Sequence, residues 1–123
     1  MLNNIHNQAS ILGAALKGLS ARNDVIQNNI ANADTMNFKK SAVDFEDSLR
    51  DALVESYNDG GRFDQSKVTA TARFEKPNYF YRLDGNNVDV ELEMADLYKN
   101  GAKYDAISTG VMNYYKRIMS VLR

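Results

Sequence analysis

The stretch from Ile26 to Lys40, IQNNIANADTMNFKK, decides the fold of this chain. Ile26, Ile30 and Ala33 extend an apolar spacing of four and three residues that begins near Leu2. Asn32, Asp34, Thr35 and Asn37 then come close together, and side chains of these types bond nearby backbone and compete with helix. Phe38 follows as a large apolar anchor, with Lys39 and Lys40 expected in solvent behind it. A long helix should therefore stop here and the chain leave in a new direction. Local chemistry alone supports no more than an ordinary helix end with a polar turn.

Working back from this break, the positions Leu2, Ile5, Ala9, Leu12, Leu16, Leu19, Asn23, Ile26, Ile30 and Ala33 follow alternating steps of three and four. Nine of these ten are apolar, which is the seam pattern of a coiled coil. Asn23 is the polar member, and a single seam Asn sets register or oligomer state at some cost in stability. Gly13, Ala14, Ala15 and Gly18 lie off the seam and are small, so close neighbours can approach there too. A helix over this span would be roughly 48 Å long at about 1.5 Å per residue. A compact domain of this size does not cover such a helix.

Working forward, Ser41 can cap a second helix, with Asp44 three residues on as a capping-box partner. Phe45, Leu49, Ala52 and Leu53 then share one face, with Glu46, Asp47, Arg50, Asp51 and Glu55 toward water. The run Asn58-Asp59-Gly60-Gly61 ends that helix as a loop. From Lys67 to Lys76 the period changes to two, with Val68, Ala70, Ala72 and Phe74 alternating with polar residues as in a half-exposed strand. Pro77-Asn78 turns the chain, and Tyr79, Tyr81 and Leu83 supply a possible hairpin partner before Asp84-Gly85-Asn86-Asn87 closes the segment. A hairpin alone is marginal and must lean on a helix or a neighbour.

The last segment begins near Asp89, with Glu91 and Glu93 placed where the helix dipole favours negative charge. Its seam reads Val90, Met94, Leu97, Gly101, Tyr104, Ser108, Val111, Tyr115, Ile118 and Leu122, eight of ten apolar. Ile118, Met119, Val121 and Leu122 make an apolar end that would be exposed in a free monomer. The expected architecture is mainly α. Long N- and C-terminal helices pair as a coiled coil, with a short middle helix and a small β-hairpin insert. Residues 1–35 form one arm, 88–123 the other, and 36–87 the segment between them.

Composition narrows the function. A chain of 123 residues with 44% hydrophobic and 25% charged residues is one folded module. The net charge of −1 argues against a nucleic-acid binder. Without cysteine, disulfides, thiol catalysis and cysteine-based metal sites are excluded. No apolar run approaches the ~18 residues of a membrane span. The opening MLNNIHNQ has no basic region, and no cleavage site follows, so any export is expected to proceed without a cleaved signal.

Enzymatic chemistry finds little footing. His6 is the only histidine and lies off the seam, where a solvated role outweighs a catalytic one. No G-x-S-x-G, H-E-x-x-H or phosphate-binding loop is present. Asp44, Glu46 and Asp47 read as a solvated face, and Asp84-Gly85-Asn86-Asn87 lacks the glutamate spacing of a calcium loop. The tyrosines could stack on bases, but without a basic surface they are better placed in packing. No cofactor, no metal and no catalytic residue are expected.

The residues also carry a resemblance. Ala31-Asn32-Ala33-Asp34-Thr35-Met36-Asn37-Phe38-Lys39 resembles the N-terminal signature of bacterial flagellar axial proteins, A-N-x-x-T-P-G-[YF]-K, with Met36-Asn37 where Pro-Gly is frequent. Asn37 can keep a left-handed turn, whereas Met36 gives up proline's fixed φ. Gly85-Asn86-Asn87-Val88-Asp89-Val90-Glu91, continuing to Glu93-Met94, is similar to the proximal rod protein family of the flagellar basal body (FlgB type), as is the segment led by Val43-Asp44-Phe45. The neighbouring short rod protein remains a rival.

The resemblance implies a non-enzymatic subunit, exported by the flagellar type III apparatus without signal cleavage. It would polymerise in the periplasmic rod with copies of itself and other rod proteins, between the export gate and MS-ring region and the distal rod, and carry torque. Leu12, Leu16, Leu19, Asn23, Ile26, Ile30, Met94, Leu97, Tyr104, Val111, Tyr115, Ile118 and Leu122 are the expected assembly and packing residues. Asn32, Asp34, Thr35, Asn37 and Phe38 form the expected turn. The residues by themselves also admit a cytoplasmic helical adaptor that closes into a small coiled-coil oligomer.

Overall fold

The computed structural model describes residues 2–75 and 82–122, with side chains from residue 5 onward. Helix α1 (Leu2–Ala31) leads to strand β1 (Ser41–Asp44), helix α2 (Glu46–Asn58) and a single 3-10 turn at Gln65–Lys67. Strand β2 (Thr71–Phe74) and helix α3 (Val90–Val121) follow. The chain is thus mainly helical, with two long terminal helices, a short middle helix and a small antiparallel sheet.

The long helices lie side by side in opposite directions. Hydrogen bonds join Asn29 to Glu93, Leu19 to Asn100 and Ile5 to Tyr114, so residues late in α1 meet residues early in α3. Helix α1 ends where the sequence places its break. The Asn32 N–H reaches back to both Asn28 and Asn29 carbonyls at 3.2 Å, and the Ala33 N–H bonds Ile30, a tightening common at the last turn. Helix α3 starts where the Asp89 carboxylate accepts the N–H groups of Glu91 (3.0 Å) and Leu92 (3.3 Å), satisfying two donors that the helix cannot.

The middle segment departs from expectation. Ser41 does not cap a helix; it opens β1. Its N–H donates to Asn29 Oδ1 (3.0 Å) and its carbonyl accepts from Asn29 Nδ2 (2.8 Å), so one amide of α1 stands in for a neighbouring strand. The Val43 carbonyl is taken by the Arg22 guanidinium at 2.9 and 3.0 Å. Both main-chain groups are fixed in an extended conformation before the capping-box geometry can form. Helix α2 therefore begins later, at Glu46, and Phe45 is buried ahead of it rather than on its face.

Strand β2 is shorter than the alternation from Lys67 to Lys76. Gln65–Lys67 coil as a 3-10 turn, and only Thr71–Phe74 pair, in the register Ser41↔Phe74 to Asp44↔Thr71. Val68 and Ala70 turn toward the core, while Ala72 and Phe74 are exposed. Tyr79 and Tyr81 lie outside the described residues, and Leu83 is exposed in a turn. The strand that pairs with β2 is β1.

Two apolar clusters join α1 to the middle segment and share Leu49. One joins Ala14, Ala52 and Phe63 with Ile11 and Val68. The other joins Leu19, Val43 and Phe45 with Val25, Ala70 and Ile107, so it reaches α3 as well. Phe45 lies over Gly18, with the Arg22 guanidinium 4.9 Å from its ring centre. The small off-seam residues thus do admit a close neighbour, the chain's own aromatic.

Candidate assembly site

The corner after α1 is clasped by the segment that leads into α3. Asn86 is fully buried, and its Nδ2 donates to the carbonyls of Asn32 and Thr35, each at 2.9 Å. Its Oδ1 accepts the Val88 N–H (2.7 Å), so one side chain ties the corner to the entry of α3. The Asn37 N–H donates to the Asp84 carbonyl (3.0 Å), and the Arg82 guanidinium donates to the Ala33 carbonyl (2.7 Å). Asn37 adopts φ = 57°, the left-handed conformation the sequence allows it. Gly85, at φ = 74°, faces the Asn37 side chain so closely that any Cβ would collide with it.

The expected turn residues have separate parts in this corner. The Asn32 side chain bonds the Asn28 carbonyl (2.8 Å) and accepts from Thr35 Oγ (3.2 Å). Asp34 is exposed, 3.6 Å from Arg82. Phe38 is half-buried and anchors the exit only in part. Lys39 and Lys40 are not solvated behind it. Lys39 Nζ donates to the Gly85 carbonyl, and the Lys40 N–H donates to Asn87 Oδ1 (2.7 Å).

Lys40 also joins the corner to α3 electrostatically. Its Nζ lies 2.9 Å from Glu75 and 3.4 Å from Glu93. Burial alone would lower its pKa, but the bonds and charge of Glu75, then of Glu93, outweigh that and leave it raised. Glu93 is buried and accepts from Asn29 Nδ2 at 2.9 Å. Glu91 and Glu93 stand in the first turn of α3 as the sequence reading places them, after the Asp89 cap, and Glu93 in addition faces α1 and bonds across to it.

On α1 the expected packing residues are unevenly covered. Leu19 and Ile26 are buried, and Leu12, Leu16, Asn23 and Ile30 are half-buried. On α3, Met94, Leu97, Val111 and Ile118 are half-buried, but Tyr104, Tyr115 and Leu122 are exposed. At Tyr115 the packed place goes to the neighbour one residue earlier: Tyr114 is 6% exposed and Tyr115 53%. Two stripes therefore run along α3. The inner one, containing Glu93, Leu97, Asn100, Ile107, Val111, Tyr114 and Ile118, faces α1. The outer one leaves Met112, Tyr115, Met119 and Leu122 exposed within the subunit. Asn100, Tyr114, Asn29 and Asn86 escape a search for apolar spacing because three of them are polar and one is next to another tyrosine.

His6 is exposed on α1. It sits at the rim of an open cleft of about 650 Å³ near the end of α2, whose carboxylates are engaged locally, Glu55 with Lys67 and Asp64 with Ser66. Among the described residues no group of His, Asp and Glu side chains could hold a metal ion, and no helix is long and apolar enough to cross a membrane.

The sequence has known relatives. The family of the flagella basal body rod protein matches residues 11–39, the part of α1 beneath Phe45 together with the corner. The chain is 31% identical to the flagellar basal body rod protein FlgB of Borreliella burgdorferi over 118 residues, 85% of this chain and 87% of that one. It is 30% identical to FlgB of Proteus mirabilis strain HI4320, with 100% of this chain and 98% of the relative covered. FlgB of Bacillus subtilis strain 168 is 32% identical, with 88% and 87% covered. Alignments of this length and identity run through both arms and the clasp, so the chain belongs to the FlgB family of flagellar basal body rod proteins, structural parts of the flagellum and not enzymes.

Proposed function

We propose that the chain polymerises through its two arms at the proximal end of the rod, joining the export-gate and MS-ring region to the distal rod and passing torque between them. The observation that carries this reading is the outer stripe of α3. Met112, Tyr115, Met119 and Leu122 lie on one side of a helix whose other side is already committed to α1. A subunit that leaves such a stripe exposed has a face for a neighbour. If the contact is heterologous and its rotation does not close, it builds a filament from copies of the chain and from other rod proteins. Export without signal cleavage belongs to the same reading, with residues 1–35 and 88–123 as arms and 36–87 between them.

Substitution on the outer stripe tests it. Tyr115→Asp and Met119→Asp change exposed side chains, so both variants should fold with the helical content of the natural chain. Both should be missing from purified basal bodies and leave cells non-motile. Incorporation and normal swimming of the double variant would overturn the proposal. So would a single small closed oligomer of the natural chain in sedimentation at every concentration.

A further inference from the structure

The two stripes of α3 flank one row, Leu97, Tyr104, Val111 and Ile118, of which Tyr104 is exposed and the other three half-buried. On one flank of that row stand Glu93, Asn100, Ile107 and Tyr114, and on the other Met94, Gly101, Ser108 and Tyr115, each set repeating every seven residues. A roll of α3 by roughly 50°, half the angle between successive helix residues, would exchange one flank for the other against α1. Apolar burial does not choose between them clearly. Each flank offers one tyrosine and one aliphatic or thioether side chain, and the flank that is buried also brings a carboxylate and an amide.

Hydrogen bonds make the choice instead. Glu93 accepts from Asn29 Nδ2 (2.9 Å), Asn100 Nδ2 donates to the Leu19 carbonyl (2.9 Å), and the Tyr114 hydroxyl donates to the Ile5 carbonyl. All three lie on the same flank and reach α1 near its end, its middle and its beginning. The contact is not free of cost: Asn100 is buried, and its Oδ1 has no hydrogen-bond partner among the described residues. A buried acceptor without a donor is destabilising, so Asn100 is poorly explained as a device for stability. It is well explained as a device for orientation, since a polar group with one good partner is tolerated in one setting and penalised in others.

We propose that Glu93, Asn100 and Tyr114 form a rotational lock, positioning residues that hold α3 at one roll angle on α1 and so keep Tyr115, Met112 and Met119 turned outward. The proposal rests on the reading of the outer stripe as the assembly face, and it adds what keeps that face presented. Tyr114 and Tyr115 report the roll directly, because one is buried and the other half exposed.

The experiment is tyrosine nitration of the full, isolated chain, followed by mass spectrometry of the peptide carrying both residues. In the natural chain Tyr115 should react several-fold faster than Tyr114. In Asn100→Ala, and more so in Glu93→Ala/Asn100→Ala, the ratio should fall toward one as α3 samples the rolled setting, with helical circular dichroism retained. A ratio unchanged in Asn100→Ala would overturn the lock, since the residue would then contribute to stability alone. If the double variant loses its helical signal, the single variant decides by the same ratio. Nitration of the free subunit does not depend on polymerisation, so a failed lock and a failed assembly face are read in different experiments.

Discussion

Gly18 lies directly beneath the ring of Phe45, so closely that a methyl group added at residue 18 would overlap the ring carbons. The glycine is thus what lets the segment after β1 fold down onto α1. Gly18→Ala would normally strengthen a helix interior by about 0.5–1 kcal/mol. Here the overlap with a buried ring dominates, because displacing Phe45 also disturbs Leu19, Val43 and the stacked Arg22. A net loss of about 1–3 kcal/mol is expected from overpacking. Urea unfolding of the two chains measures it, and an unchanged or higher midpoint would show that Phe45 can move aside freely.

Asn86 supports a second prediction. It is fully buried, with all three of its side-chain hydrogen bonds directed at main-chain groups of the corner and of the entry to α3. Asn86→Ala leaves the carbonyls of Asn32 and Thr35 and the Val88 N–H without these partners. With each neutral bond contributing about 1 kcal/mol and stranded groups costing more, a loss of about 2–4 kcal/mol is expected. Asn86→Asp should be no better, since a carboxylate cannot donate to the two carbonyls. Amide exchange around Asn37 should quicken in both variants; protection equal to the natural chain would place the hold on the corner elsewhere.

These residues mark the boundary of what the sequence reveals. Both long helices and their ends near Asn32 and Asp89 follow from spacing and local chemistry, which act within a few residues, while the left-handed Asn37 is expected from the resemblance, where it replaces a glycine. The conversion of Ser41–Asp44 from helix start to strand could not be read this way. It depends on Asn29 and Arg22 reaching across from α1, and bonds over such separations leave no periodic trace. The same holds on α3. An apolar count finds the outer stripe, with Tyr115 and Leu122, because the packed flank is partly polar. Glu93 and Asn100 look unsuited to a seam until their partners on α1 are seen.

The Arg22–Glu46 pair gives a pH dependence of defined sign. Glu46 is held at about 2, below its ordinary 4.5, first by hydrogen bonding to the Arg22 guanidinium. Over that interval the unfolded chain takes up the proton and the folded chain resists it, so protonation favours unfolding. The pair's contribution is therefore fully present above about pH 4.5 and fades as pH falls toward 2. Because the Glu46 side chain is 48% exposed, its contribution is discounted to at most about 1 kcal/mol. Glu46→Gln should lower the unfolding midpoint slightly at pH 7 and leave a shallower decline between pH 4.5 and 2. Identical acid limbs would mean that Arg22 finds an equivalent partner.

Gly101 is the converse of Gly18. It sits in the interior of α3, and a Cβ placed there would meet nothing within 4 Å among the described residues. Nothing in the isolated chain offsets the conformational entropy that a helical glycine loses on folding. Gly101→Ala should therefore stabilise the free subunit by about 0.5–1 kcal/mol, visible as a higher urea midpoint with an unchanged slope. Gly101 also flanks the outer stripe, one turn before Tyr104. If a neighbouring subunit packs closely there, the same substitution that strengthens the subunit should weaken its incorporation into the rod. Improved stability with undiminished motility would separate the two effects and remove Gly101 from the assembly face.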